Sequence, residues 1–340
     1  MSAEAPVPMI AVGYTASPGF VDALVAARSC LLITTYQANQ IVCVSATSAG
    51  VELSCLFVDR AMGIAVKDGV IAVGGRSHIW TLVNDPEMAG QLDPPGKYDA
   101  CFQLQRSLFT GDFRCHEMAW VDNQLTVINT LFSCLCSLGP DERFIPFWRP
   151  PFLSATTGED RCHLNGMAVE AGRVAYVTTL GETDTSQGWR PGKTTGGCVI
   201  DTASNAIIAR GFCMPHSPRV SDGRLWLLNS GYGTLGILDR ATGQFQPVAR
   251  VPGYARGLAI SGNVAFVGLS KIRASSTADG VPIVEQRDIL RCGVAAIDLT
   301  TGKLLGKFEF TLGVDQIFDV TILPGFRRVA LRKSATIEAR

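Results

Sequence analysis

The sequence predicts an all-β chain folded as a six-bladed β-propeller, with the ring closed by its own C-terminal strand. Three observations carry that expectation. Strand-like runs recur six times at a period of about fifty residues. Helical periodicity is almost absent. The count of runs leaves one strand near the C-terminus with no partner of its own.

The second run of each unit is the clearest: "LLITT" (31–35), "VIAVGG" (70–75), "LTVINT" (125–130), "VAYVTT" (174–179), "LWLLNS" (225–230) and "VAFVGL" (264–269). Each is β-branched or aromatic and ends in small or polar residues, as a buried strand reaching a surface loop should. Five are preceded by a shorter run and a turn, as in "MGIAVKDG" and "NGMAVEAG", and a third and fourth run follow each. Asp-x-x-[Ser/Thr]-Gly turns precede the last run of the final two units. The N-terminal unit lacks a first strand, while "IFDVTILPG" (317–325) has nothing to pair with. Inserting 317–323 as the inner strand of the first blade closes the ring and removes its free edges. Residues 1–340 then form one domain. Its blades are 317–323 with 30–58, then 59–108, 114–153, 163–213, 214–251 and 254–311, with 326–340 as a surface tail.

Charge is balanced, 30 basic against 30 acidic side chains, without a block of one sign. That pattern speaks against nucleic acid or a membrane surface as a partner. No apolar run is long enough to span a bilayer, and "MSAEAPVPMIAVGY" lacks the pattern of a secretory signal. Eleven cysteines without regular pairing read as reduced, buried thiols, so a cytoplasmic protein is expected.

The chain has four histidines, and "GDFRCHEMAW" and "GEDRCHLNGMAV" use two of them at matching points. Aligning the units on their apolar runs gives one inner position per blade: Met62, His116, Asn165, His216, Arg256 and Phe318. His163 lies two residues before Asn165, so strand alternation sends it to the same side. His116, His163 and His216 therefore reach the channel from three successive blades. Convergent imidazoles on rigid strands suit a divalent transition metal such as Fe, Mn or Zn, with positions left open for substrate. Cys115 and Cys162 should point into blade packing. Arg256 is placed to hold a carboxylate or phosphate, and Asp319 to complete the metal site or act as a base. His78 belongs to the same face, further out.

Tyr36 and Glu182 join Arg256 and Asp319 as candidate catalytic groups. Other polar residues at the ends of second strands are Gln37, Arg76, Asn129, Thr179, Asn229 and Tyr232. The longest interruptions, 181–197 and 270–293, follow second strands and should form a lid over the histidine face. The first carries Glu182, Asp184, Trp189 and Arg190. A third stretch, 84–112, is a further candidate cover.

The strings "HEMAW", "EDRCHLNGMAV", "GETDT", "MPHSPR" and "IFDV" resemble a family of bacterial conserved hypothetical proteins of unknown function, over nearly the whole chain. That resemblance implies the propeller and no activity. The architecture is more distantly similar to gluconolactonase-like and strictosidine-synthase-like propellers, which keep their active sites at the channel mouth. The former use a carboxylate-rich metal site, from which the histidine set departs. Histidine-ligated metals on the axes of carotenoid oxygenases and oligogalacturonate lyases are an analogy of architecture alone.

The leading expectation is a metal-dependent enzyme acting on a small polar or anionic molecule, with lyase, hydrolase, isomerase and oxygenase chemistry all open. A metal-free alternative makes His116 or His216 a general base paired with Asp319 or Glu182. A non-catalytic ligand-binding or scaffold propeller is the third. No Gly-x-Ser-x-Gly elbow or phosphate-binding glycine loop supports nucleophilic hydrolysis or nucleotide binding.

Overall fold

The computed structural model describes residues 10–139, 144–272 and 277–333. Six antiparallel four-stranded units are present. The first blade runs from inner to outer strand as Asp319–Pro324, Ser29–Thr35, Gln40–Thr47 and Gly50–Phe57. The second is Ile64–Lys67, Val70–Gly74, His78–Asn84 and Ala100–Phe109. The third to sixth begin at inner strands Cys115–Val121, Leu164–Glu170, Pro215–Ser221 and Tyr254–Ser261. Each second strand coincides with an apolar run seen in the sequence. Ser29–Thr35 is buried at every residue, because both of its faces are covered by neighbouring blades.

Local sequence explains the hairpins. In Asp68-Gly69, Asp122-Asn123, Ala171-Gly172 and Asp222-Gly223 both residues have positive φ, the left-handed pair of a type I′ turn. These pairs join inner to second strands in blades two to five. Further out, the Asp239 and Asp298 carboxylates each accept two backbone N–H groups of the following turn.

Closure takes place as the sequence predicts. Asp319–Pro324 pairs antiparallel with the second strand, from Thr34↔Asp319 to Ser29↔Pro324. The chain ends do more than that, however. Residues 326–340 are not simply a surface tail, because Val329–Lys333 forms a fifth, parallel strand on the outer edge of blade two, from Val329↔Ala100 to Lys333↔Leu104. At the other end, Gly13–Ala16 adds a fifth strand to blade six. Helix Pro18–Ala26 then buries Phe20 and Leu24 before the chain enters blade one. The apolar character of 329–331 is modest, and parallel edge pairing leaves no hairpin signature, so neither edge strand stands out in the sequence. The stretch 84–112 also departs from expectation. Its short helix Pro86–Gln91 joins third to fourth strand at the end opposite the histidines, and its second half is the outer strand of blade two.

Leu331 is 5 % exposed in this added strand. Leu331→Ala is expected to cost about 2–4 kcal/mol, as burial-dependent truncations do, read as a lowered urea midpoint. An unchanged midpoint would return 329–333 to the role of a surface tail.

Candidate functional site

The mouth of the channel is built from two rings. The aligned inner positions form the lower one, and five of the six (Met62, His116, His216, Arg256 and Phe318) line a single cavity of about 560 Å³. Asn165 does not, because its amide is spent joining blades: it donates to the Pro215 carbonyl and accepts from Thr178. Two residues earlier in each blade stand Arg60, Arg114, His163, Met214, Tyr254 and Gln316, and all six line the same cavity. The first four share a left-handed backbone, with φ of 47°, 55°, 53° and 52°. For residues with a Cβ this conformation costs roughly 1 kcal/mol or more each, and such outliers gather where function fixes a side chain.

The histidines are closely grouped. The His116 ring lies 5.4 Å from His163 and 5.6 Å from His216, centroid to centroid, and 4.7 Å from Phe318. Their hydrogen bonds set their tautomers. His216 Nδ1 is 2.9 Å from the Met214 carbonyl, which can only accept, so Nδ1 carries the proton. His163 Nδ1 faces both oxygens of Asp160 at 2.9 and 3.1 Å. His116 Nε2 accepts from Arg256 Nη2 at 2.8 Å, which leaves the proton on Nδ1. Burial, and next the Arg256 charge, hold the His116 and His216 rings well below the usual imidazole range; a backbone hydrogen bond, to Asn165 and to Met214 respectively, acts the other way. Both are neutral near pH 7.

Arg256 is the centre of the arrangement. Its guanidinium carbon lies 3.3 Å from the Phe318 ring centroid, and its Nε has no partner. No carboxylate pairs with it among the described residues. Burial pulls it down to about 10, so it stays charged at neutral pH. Gly257, with φ +83°, follows it because a Cβ there would meet the Val320 nitrogen at 2.5 Å. Arg256 also competes with any metal for His116 in this conformation. A cation bound by the three imidazoles would need His116 Nε2, and that lone pair is already taken by a second cation. Among the described residues no group of three or more His, Cys, Asp or Glu side chains is arranged to hold a metal. The donor set does not fit a metal as folded.

Two predicted groups lie elsewhere. Asp319 sits beneath the mouth, where its carboxylate accepts the Ile64 and Val320 amides at 3.0 and 2.8 Å and faces Arg219 at 3.8 Å. Phe318, not Asp319, takes the inner position. Glu117 joins the same belt: it pairs with Arg219 and accepts the Met167 amide at 3.1 Å. Burial pushes Glu117 up to about 7 and raises Asp319, against the pull of Arg219. The belt is a joint between blades, and breaking such a buried pair costs about 3–5 kcal/mol. Glu182 turns outward to Arg210 at 2.8 Å. Tyr36 does line the cavity; its hydroxyl accepts from Arg60 Nη1 at 3.2 Å and its ring packs 5.6 Å from Phe318.

Gln37 and Arg76 also reach the cavity. Asn129 and Asn229 cap nearby amides instead, Thr179 bonds the Gly181 carbonyl, and Tyr232 is exposed. His78 packs between Trp80 and Phe109, away from the site. Cys115 and Cys162 are buried between blades, and burial raises both thiols, Cys162 to about 12. The two Arg-Cys-His strings are not equivalent. His116 lies within its inner strand, whereas His163 occupies the left-handed position that Arg114 holds in the blade before. Asp160 is the important residue that role-by-role sequence reading passed over. At 1 % exposure it holds Arg114 at 2.8 Å as well as His163. Its only sequence signal is that it precedes the second Arg-Cys-His.

Both insertions close over this face. Trp189 from the first is buried 4.5 Å from the His163 ring, with Arg190 stacked on its outer side at 4.8 Å. Ile272, Val281, Ile283 and Leu290 from the second pack with Trp189, Met214 and Tyr254 in one cluster. Lys193 ties the lids together through the Thr277 carbonyl at 3.0 Å.

The depressed His216 ring makes stability pH-dependent. Below about 6.5 the unfolded chain takes up a proton that the folded site refuses, so stability is lost as pH falls towards the folded-state value. His216→Asn keeps a donor near Met214 without titrating. Relative to that variant, the protein is expected to lose up to about 1.4 kcal/mol per pH unit below 6.5, measured by urea unfolding from pH 7.5 to 5. Parallel curves would show that folding does not depress the His216 ring.

Comparison with known proteins agrees with the architecture. No curated protein matches the sequence. Two solved structures cover 87 % of this chain and 99 % of their own. One is a chain of the nidogen/laminin complex, with 13 % identity and a TM-score of 0.57; the other is a protein of unknown function from Bacteroides caccae, with 8 % and 0.54. At such identities the likeness is one of fold. A family model matches residues 18–331, from the helix before blade one to the fifth strand of blade two, and the chain belongs to that family, the domain of unknown function DUF4915.

Proposed function

We propose that the protein is an enzyme that carries out acid–base chemistry on a small anionic molecule at the propeller mouth. The observation that carries this reading is the Asp160–His163 pair in the wall of a cationic cavity. Arg60, Arg76, Arg114, Arg190, Arg256 and Lys271 line it against only Asp112 and Asp160, in a chain with no net charge. Asp160 fixes the Nδ1 proton of His163, which leaves Nε2 to take a proton from the substrate. Trp189 holds the ring plane and excludes water from it. Arg256, without a carboxylate of its own, binds the substrate anion and stabilises negative charge that develops beside it. The neutral His216 is a second proton acceptor or donor on the cavity floor. Isomerisation, elimination and hydrolysis all begin with such a transfer. The pair at work is His163 with Asp160, in place of His116 or His216 paired with Asp319 or Glu182.

Incubation with pooled small carboxylates and phosphate esters in D₂O, followed by mass spectrometry, tests the reading. Deuterium gain or product formation is expected with the unaltered protein. It should fall at least about a hundredfold in His163→Gln, the usual weight of a general base, and by a smaller factor in Asp160→Asn. Equal turnover in His163→Gln, or anion binding with no exchange and no product, would overturn it.

A metal-dependent reading has one feature in its favour. The Nδ1 groups of His163 and His216 are held by acceptors and His116 carries its proton on Nδ1, so each imidazole keeps its lone pair on Nε2, the arrangement that metal-binding histidines require, although that of His116 is taken by Arg256. It demands that Arg256 leave His116. Metal content is measured by mass spectrometry on protein purified without chelator or nickel resin, beside Arg256→Ala. Far less than one equivalent of Fe, Mn or Zn is expected in the unaltered protein. Near one equivalent there would favour the metal over the acid–base reading.

A further inference from the structure

One wall of the cavity carries a feature that acid–base chemistry does not use. Phe318 and Tyr36, both from blade one, pack ring to ring at 5.6 Å, and a guanidinium sits at each end of the pair. Arg256 from blade six lies on Phe318, and Arg60 from blade two lies 5.6 Å over Tyr36. Arg76 lines the same cavity, its backbone amide bonded at 2.9 Å to the carbonyl of Asp59, the residue before Arg60. Arg60, Arg76 and Arg256 have no carboxylate partner among the described residues, whereas Arg114 and Lys271 are neutralised by Asp160 and Asp315. The free cations of blades two and six are thus separated by an aromatic strip, one at the floor and two at the rim.

Resting on the reading of this cavity as an anionic-substrate site, we infer that the substrate is a dianion with an apolar or planar body. One acidic group meets Arg256 on the floor, the other meets Arg60 and Arg76 at the rim, and the body lies along Phe318 and Tyr36. Carboxylate and phosphate share the chemistry that these guanidiniums recognise, so the second group is either a carboxylate or a phosphate monoester. A single-ended anion would leave the rim pair unanswered. A cavity of about 560 Å³ accommodates a molecule of this reach. The floor arginine orients the ligand for His163, and the rim pair selects its length.

Isothermal titration with α,ω-dicarboxylates of four to eight carbons, the matching monocarboxylates, and phosphate monoesters of hydroxy acids of the same lengths tests this. The expected result is a length optimum among the two-ended ligands, with the best at least tenfold tighter than its single-ended counterpart. Arg60→Gln/Arg76→Gln should abolish that tenfold advantage while changing monocarboxylate affinity less than twofold. Arg256→Gln should weaken both series. Both rim residues are exposed, and the double variant is checked for folding by its unfolding midpoint. If the phosphate esters outrank the dicarboxylates in an Arg60- and Arg76-dependent manner, the second group is a phosphate; the reverse order makes it a carboxylate. Equal affinity for one- and two-ended ligands, or a length optimum that survives the double rim variant, overturns the dianion while leaving the anion site at Arg256 intact. Failure of every anion to bind, in either series, removes the proposed function as well.

Discussion

The structure depends on what six inner strands can tolerate where they meet. Each brings backbone and side chains to a narrow axis with little water, and any polar group delivered there must find a partner from another blade. Below the mouth this requirement is fully met. Arg219 faces Glu117 and Asp319, and those carboxylates in turn accept amides of blades one, two and four. Above it the requirement is left partly unmet. Arg256 has only a neutral imidazole and an aromatic face, although a buried guanidinium without an anion is costly. The contrast between a saturated belt and an unsaturated floor is what distinguishes structural from functional polarity in this channel.

Much of this was legible because propeller blades repeat. The second strands are continuous apolar runs, since they are covered on both faces, and their spacing gave the blade count and the closing strand directly. Registration on those runs also found Met62, His116, His216, Arg256 and Phe318. It also set Asp319 one residue off the axis, and there the carboxylate turns back onto amides. It was silent about Arg60 and Arg114. Their side chains reach the mouth because a left-handed residue precedes the strand, and arginine carries no signal for that conformation as glycine or asparagine does. Glu182 was misjudged because a lid loop has no periodicity from which to read direction.

The histidine pattern gives an address without naming its tenant. Three imidazoles do converge, with their proton-bearing nitrogens turned from the centre. What sequence could not weigh was that Arg256, placed by the same alignment, reaches the same point. Two cations do not share one lone pair, and at 2.8 Å from His116 the guanidinium is the occupant. The carboxylate that meets an imidazole is Asp160, which is held against His163 across a single left-handed turn.

The last feature concerns time. Phe318 immediately precedes the strand that enters blade one after every other blade has been made, and the Val329–Lys333 strand clamps blade two later still. A chain emerging from the ribosome therefore carries His116, His163, His216 and Arg256 well before it has a surface on which Arg256 can rest. The aromatic strip, and with it this wall of the cavity, comes into existence only once Phe318 has been made. Synthesis that halts before Phe318 leaves Arg256 without the ring it rests on.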